Sequence, residues 1–121
     1  EEFVLVSSAK AGSRRTVSDY LLVDWEIDFV QDHAAAFPEH ANPAISLDLG
    51  PMALDYLLAN ECSGYFPARM VKKLIARGRV REPKRARKFV YPVYMVYPET
   101  RNEEAFEPIL RGLRRAAAKF S

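Results

Sequence analysis

The strongest constraint in this chain is an alternation. Short apolar, β-prone runs are followed by segments whose apolar residues recur every three or four positions, and glycine or proline marks the junctions. Phe3-Val4-Leu5-Val6 reads as a buried strand that runs through Ser7 and Ser8 into a loop around Gly12. Tyr20-Leu21-Leu22-Val23 reads as a second strand. Asp24 then stands where a helix N-cap belongs, ahead of a stripe of Ile27, Val30, Ala34 and Phe37 that Pro38 stops. Ile45, Leu47 and Leu49 alternate with Ser46 and Asp48, as in a strand with one buried face. Gly50-Pro51 opens a helix carrying Leu54, Leu57 and Leu58. Gly64-Tyr65-Phe66 takes the next strand position. Pro67 begins a helix with Met70, Val71, Leu74 and Ile75 on one face, closed by Gly78.

Beyond Gly78 the texture changes. Residues 79–88 are basic and weakly patterned, which reads as an extended connection. Residues 89–97 are strongly β-prone, but Pro92 lies among them. Proline cannot donate to a ladder, so this strand is expected at an edge, with a bulge, or crossing between two sheets. Asn102 caps a final helix with the stripe Phe106, Ile109, Leu110, Leu113, Ala117 and Phe120, and Pro108 removes one of its early hydrogen bonds. The series predicts an α/β fold with a largely parallel sheet.

Composition narrows the function classes. At 121 residues and 49% hydrophobic content the chain can bury a core, which excludes disordered and collagen-like classes. No apolar stretch is long enough for a membrane span. A single cysteine, with no charged-then-apolar leader before the first strand, fits a cytoplasmic protein. The 18 basic and 16 acidic residues are unevenly placed. Residues 1–68 hold three basic and eleven acidic side chains, whereas residues 69–121 hold fifteen and five. Such a split raises the prospect of an acidic partner or nucleic acid, or of two halves that pack together.

In an open parallel sheet, ligands gather at the carboxyl ends of the strands, where helix N-termini present free N–H groups. Three such places are readable: Trp25-Glu26-Ile27, the Gly50-Pro51-Met52 turn, and Ser63-Gly64-Tyr65 leading into Phe66-Pro67. Catalysis has little to stand on. Cys62 has no nucleophile context, and His33, His40, Asp32 and Glu39 lack metal-ligand spacing. The glycines are isolated, so no phosphate-cradling loop and no cofactor is expected. The basic stretch, including Arg85 and Arg87, precedes rather than interleaves with the aromatics Phe89, Tyr91 and Tyr94. It reads as a solvated surface segment rather than an RNA-recognition sheet.

In order along the chain come Tyr20-Leu21-Leu22-Val23-Asp24-Trp25, a helix ending Ala36-Phe37-Pro38, Ala53-Leu54-Asp55-Tyr56-Leu57-Leu58, Gly64-Tyr65-Phe66-Pro67, then Val71 to Gly78 leading through the basic stretch to the run from Phe89 through Pro92 to Pro98. This order resembles the C-terminal effector-binding domain of LysR-type transcriptional regulators. It departs at Cys62-Ser63-Gly64, where the family usually carries G-x-G. The resemblance implies a type II periplasmic-binding-protein-like fold of two α/β subdomains joined by crossing strands. Residues 1–88 would be the first crossing strand and second subdomain. Residues 89–121 would be the return strand and C-terminal helix of the first subdomain.

A small effector, polar or anionic, would bind in the inter-subdomain cleft at Trp25, Glu26, Ile27, Gly50, Met52, Ser63 and Tyr65. The resemblance further implies a non-enzymatic regulator that contacts DNA only through an N-terminal domain not in this sequence, and that forms homo-oligomers. Leu110, Leu113 and Phe120 would be left partly exposed by the missing part of the first subdomain. A transport-type solute-binding protein of the same fold and a basic RNA-binding module are the alternatives.

Overall fold

The structure is a computed structural model and describes residues 1–9 and 19–119. The loop expected around Gly12, and Phe120 of the final stripe, lie outside the described residues. The chain divides into two units, Glu2–Val90 and Glu1 with Tyr91–Ser121. The first contains β1 (Glu2–Ser8), β2 (Leu21–Val23), α1 (Ile27–Ala36), a 3-10 turn (Pro38–His40), β3 (Ile45–Leu47), α2 (Gly50–Ala59), β4 (Ser63–Pro67), α3 (Ala68–Ala76), β5 (Val80–Arg81) and β6 (Phe89–Val90). The fold is α/β, as the alternation implies.

The sheet is mixed rather than largely parallel. β2 and β3 pair in parallel, and a parallel bridge joins Tyr20 to Ser63, so β3, β2 and β4 run in one direction. β1 runs against them, antiparallel to β4, β5 and β6. The alternation rule missed this because the sequence has no helix signal between β1 and β2. Without a crossover, consecutive strands need not be parallel. β5 and β6 lie on the same side of β1, opposite Ser7–Ser8 and Glu2–Phe3 respectively. They form one edge line interrupted by residues 82–88. The chain therefore enters the first unit on β1 and leaves it on β6 side by side, with Glu2 opposite Val90.

The period of two along each strand builds two cores. On one face Val4, Val6, Leu21, Val23 and Phe66 pack with Ala53 and Leu57 of α2, Val71 of α3 and Val80. Each of the buried valine, leucine and phenylalanine side chains contributes about 1.5–3 kcal/mol of transfer free energy. The other face is aromatic. Phe3 and Tyr65 of the sheet meet Phe29 of α1, with ring centroids 5.1 and 5.9 Å apart. Tyr65 also packs edge-on against Phe89 at 5.1 Å.

Helix ends depart from the sequence reading where tertiary packing intervenes. The N-cap of α1 is Glu26, not Asp24, and it makes no side-chain cap bond. Asp24 instead extends the parallel ladder, its N–H donating to the Leu47 carbonyl at 2.9 Å. The buried face of α1 is accordingly Phe29 and His33, not Ile27, which is exposed. The end of α3 follows expectation closely. Gly78 adopts φ 68°, the Gly78 N–H donates to Ile75 O at 3.0 Å, and the Arg79 N–H to Leu74 O at 2.9 Å. This is a Schellman ending that only a residue tolerant of left-handed backbone makes without strain.

In the second unit, the strand expected over residues 89–97 stops at Val90. Residues 91–98 carry no regular structure, and Val93, Tyr94 and Val96 are exposed. Pro92 removes a donor where the ladder would continue. Helix α4 (Glu103–Ala118) begins at Asn102, whose side chain accepts from the Ala105 N–H at 3.1 Å. Arg101 ties down the preceding turn, with its guanidinium 4.7 Å from the Tyr97 ring and 2.9 Å from Glu103. The stripe of α4 splits into two flanks. Ile109 and Leu113 are exposed, as expected for Leu113, while Leu110 is buried, contrary to the expectation that it is left partly exposed. Leu110 stacks one turn after half-buried Phe106, and Leu113 one turn after Ile109.

Candidate functional site

The three strands that run together end on one edge of the sheet, and each hands over to a helix there. α1 begins after β2, α2 after β3 and α3 after β4. The N-cap positions are Glu26, Leu49 and Pro67, and none places a side-chain acceptor on the first-turn N–H groups. Three helix N-termini without a side-chain cap thus share an edge, and helix N-termini favour polar or anionic groups.

Trp25 organises this edge. Its indole Nε1 donates to the Tyr65 carbonyl at 2.8 Å, and its ring lies 5.7 Å from both Phe66 and Phe3. Gly50 makes room for it: a Cβ at position 50 would sit 2.3 Å from the indole ring. Glycine opens α2 because the indole occupies the space a side chain needs. Ile27, Leu49 and Met52, at the starts of α1 and α2, are 67%, 56% and 57% exposed, and Glu26 precedes α1. The edge therefore carries one half-buried aromatic ring, exposed apolar side chains, the Glu26 carboxylate and helix N-termini without side-chain caps.

Of the seven residues singled out from sequence, Trp25, Glu26, Ile27, Gly50 and Met52 stand on this edge. Tyr65 reaches it only through its backbone carbonyl. Its side chain is buried on the α1 face, with the hydroxyl donating to the Arg87 carbonyl at 2.8 Å. Ser63 is not brought to the edge. It begins β4, at the opposite end of the strand, and its hydroxyl shares a 2.6 Å hydrogen bond with that of Ser7.

The sequence reading passed over a second cluster, on the α1 face. Tyr20 stacks on His40 with centroids 4.0 Å apart and planes at 9°. Its hydroxyl is 2.5 Å from His33 Nε2. His33 is buried, and its pKa falls to about 4, first because burial disfavours the charged ring, then because His40 repels it; Glu39 opposes the shift. His33 is therefore neutral at physiological pH. The signal was Phe29, His33 and Phe37 at four-residue steps, with a histidine standing where a hydrophobic count looks for leucine.

Two concavities flank the Phe37–Tyr65 pair. One of about 230 Å³ is lined by Leu5, Tyr20, Phe37, Glu39, His40 and Tyr65. The other, about 430 Å³, lies against the connection between β5 and β6, where Arg85 and Arg87 stand.

Nucleophilic chemistry finds no support at Cys62. The thiol is buried and its pKa is raised to about 11, by burial first and the Asp19 charge second, so it is protonated at neutral pH. No group of three or more potential metal ligands occurs among the described residues, and no helix among them is long and apolar enough to cross a membrane.

The fold and edge together define a mixed α/β unit. No family model, curated protein or solved structure matches the chain.

Proposed function

We propose that residues 2–90 form a small-molecule-binding lobe of an effector-binding domain like that of LysR-type regulators, in which ligand binding biases a conformational equilibrium and no bond is made or broken. One observation carries this reading. The edge where three uncapped helix N-termini converge is also the edge at which the chain enters and leaves the lobe. β1 starts opposite Pro67, the end of β4, and β6 ends beside that start. A lobe joined to the rest of its protein by two adjacent strands pivots about them. A ligand held at the same edge then lies where closure has the greatest leverage. The type II periplasmic-binding-protein-like fold, the regulatory role, the cytoplasmic setting and homo-oligomerisation belong to this proposal. The DNA-binding domain it requires would lie outside this sequence.

In this reading Trp25 and Met52 pack against the ligand body, and the first-turn N–H groups of α1 and α2 hold its polar end. Glu26 disfavours a strongly anionic group close by and favours a ligand with a donor of its own. The test uses Trp25, the single tryptophan, as a reporter. Small carboxylates and aromatic acids are titrated while indole emission is followed. A saturable change that weakens at least tenfold in Ile27→Glu and Met52→Glu supports the assignment. A change of undiminished affinity in both variants places the ligand elsewhere. Both positions are exposed, so neither substitution threatens the fold.

A further inference from the structure

The basic stretch that the effector reading leaves unused forms one wall of the larger concavity. Its lining is Ala36 and Phe37 from the end of α1, Tyr65 from β4, and Pro83, Arg85, Ala86 and Arg87 from the connection between β5 and β6. The volume, about 430 Å³, falls within the range of small-molecule sites, roughly 300–1,000 Å³. The connection is held in shape. Pro83 sets a tight turn in which the Ala86 N–H donates to the Pro83 carbonyl at 3.1 Å. The Arg87 carbonyl accepts from the Tyr65 hydroxyl at 2.8 Å, and the Arg87 guanidinium lies 5.3 Å from the Phe89 ring centroid.

The charge of this wall is uncompensated. Glu82 is the one acid between Arg69 and Lys88, and Lys88 occupies it at 3.4 Å while also reaching Glu2 at 3.4 Å. Neither Arg85 nor Arg87 pairs with a carboxylate among the described residues. Arg81, by contrast, is engaged with the Ala9 carbonyl at 2.8 Å.

We propose that this concavity binds a phosphate monoester carried on a small apolar or aromatic body. Two guanidiniums present five N–H donors each in planar forks. One carboxylate, with two oxygens, saturates one fork. A phosphate monoester, with three terminal oxygens and close to two charges at neutral pH, engages both. Phe37, Pro83 and the methyl groups of Ala36 and Ala86 receive the body. The proposal stands apart from the effector edge and does not depend on it.

The test is calorimetry of the full chain at low ionic strength with phenyl phosphate, inorganic phosphate and phenol. Phenyl phosphate binds several-fold more tightly than inorganic phosphate, and phenol gives no measurable heat. The pair Arg85→Gln and Arg87→Gln weakens phenyl phosphate at least tenfold. Ala86→Glu, which puts a carboxylate into the lining, does the same. A charge-matched control, Arg79→Gln with Lys84→Gln, changes affinity less than threefold, because neither residue lines the concavity. Unchanged Trp25 emission and urea midpoint show that each variant is folded. Equal losses in the lining and control pairs would overturn the proposal in favour of a diffuse positive field. So would the absence of phenyl phosphate binding, inorganic phosphate binding as tightly as phenyl phosphate, or tighter binding of a single-stranded oligonucleotide that both pairs weaken alike.

Discussion

Replacing Gly50 with alanine tests the packing that builds the candidate edge. The added Cβ would meet the Trp25 ring at 2.3 and 2.4 Å, against the roughly 3.5–4.0 Å at which carbon atoms rest. The indole must retreat by more than an ångström. It is rigid, and its Nε1 is anchored to the Tyr65 carbonyl at 2.8 Å, so retreat breaks that bond. Overpacking costs about 1–3 kcal/mol and the lost hydrogen bond about 1 kcal/mol more. Alanine's advantage over glycine in a helix returns about 0.5–1 kcal/mol. The net expectation is a loss of about 2 kcal/mol. For a unit of this size that lowers the melting temperature by about 8–16 °C. Urea denaturation followed by circular dichroism and by Trp25 emission measures both the loss and the displacement of the ring. The decisive comparison is the same substitution in a Trp25→Leu background, where the obstacle is gone and Gly50→Ala costs less than about 0.5 kcal/mol. Equal cost in both backgrounds would refute the argument that the indole dictates glycine at this position.

Two further outcomes follow from buried titratable groups. His33 has a folded-state pKa of about 4, below its ordinary 6.5, so the unfolded chain binds more protons between those values and stability falls as pH drops through the window. Between pH 8 and pH 5 the loss from this group is about 2 kcal/mol, read as a lower urea midpoint, and His33→Phe flattens the dependence. Cys62, with its thiol raised to about 11, resists iodoacetamide at pH 7.5 in the folded protein and reacts once urea unfolds it, which mass spectrometry resolves.

How much of this was legible in the sequence depended on whether a feature was local. The ends of α3 and α4 were readable because Gly78 and Asn102 act within a few residues of themselves. The start of α1 was not, since Asp24 is a good cap by type but is drawn into the β2–β3 ladder by Leu47, twenty-three residues on. The direction of β1 was hidden for a similar reason. Alternating apolar runs identify strands, but only pairing partners reveal which way they run. The β-prone stretch after Val90 shows the converse. Propensity alone does not make a strand where Pro92 interrupts donation and the flanking side chains stand in solvent.

The candidate site divides along the same line. The edge at Trp25, Gly50 and Met52 was recoverable because it follows from connectivity: parallel strands followed by helices place their junctions together. Ser63 failed to join it through register, since four residues at about 3.3 Å each put it about 13 Å back along β4 from Pro67. The arginine-lined concavity was beyond reach from sequence. Its charge was plain, but charge alone does not separate Arg85 and Arg87 from Arg79 or Lys84. What separates them is the turn at Pro83 and the hydrogen bond from Tyr65, twenty-two residues away, to the Arg87 carbonyl. These fold the basic segment against Phe37, so that arginines still exposed, as the solvated-surface reading expects, border an apolar floor.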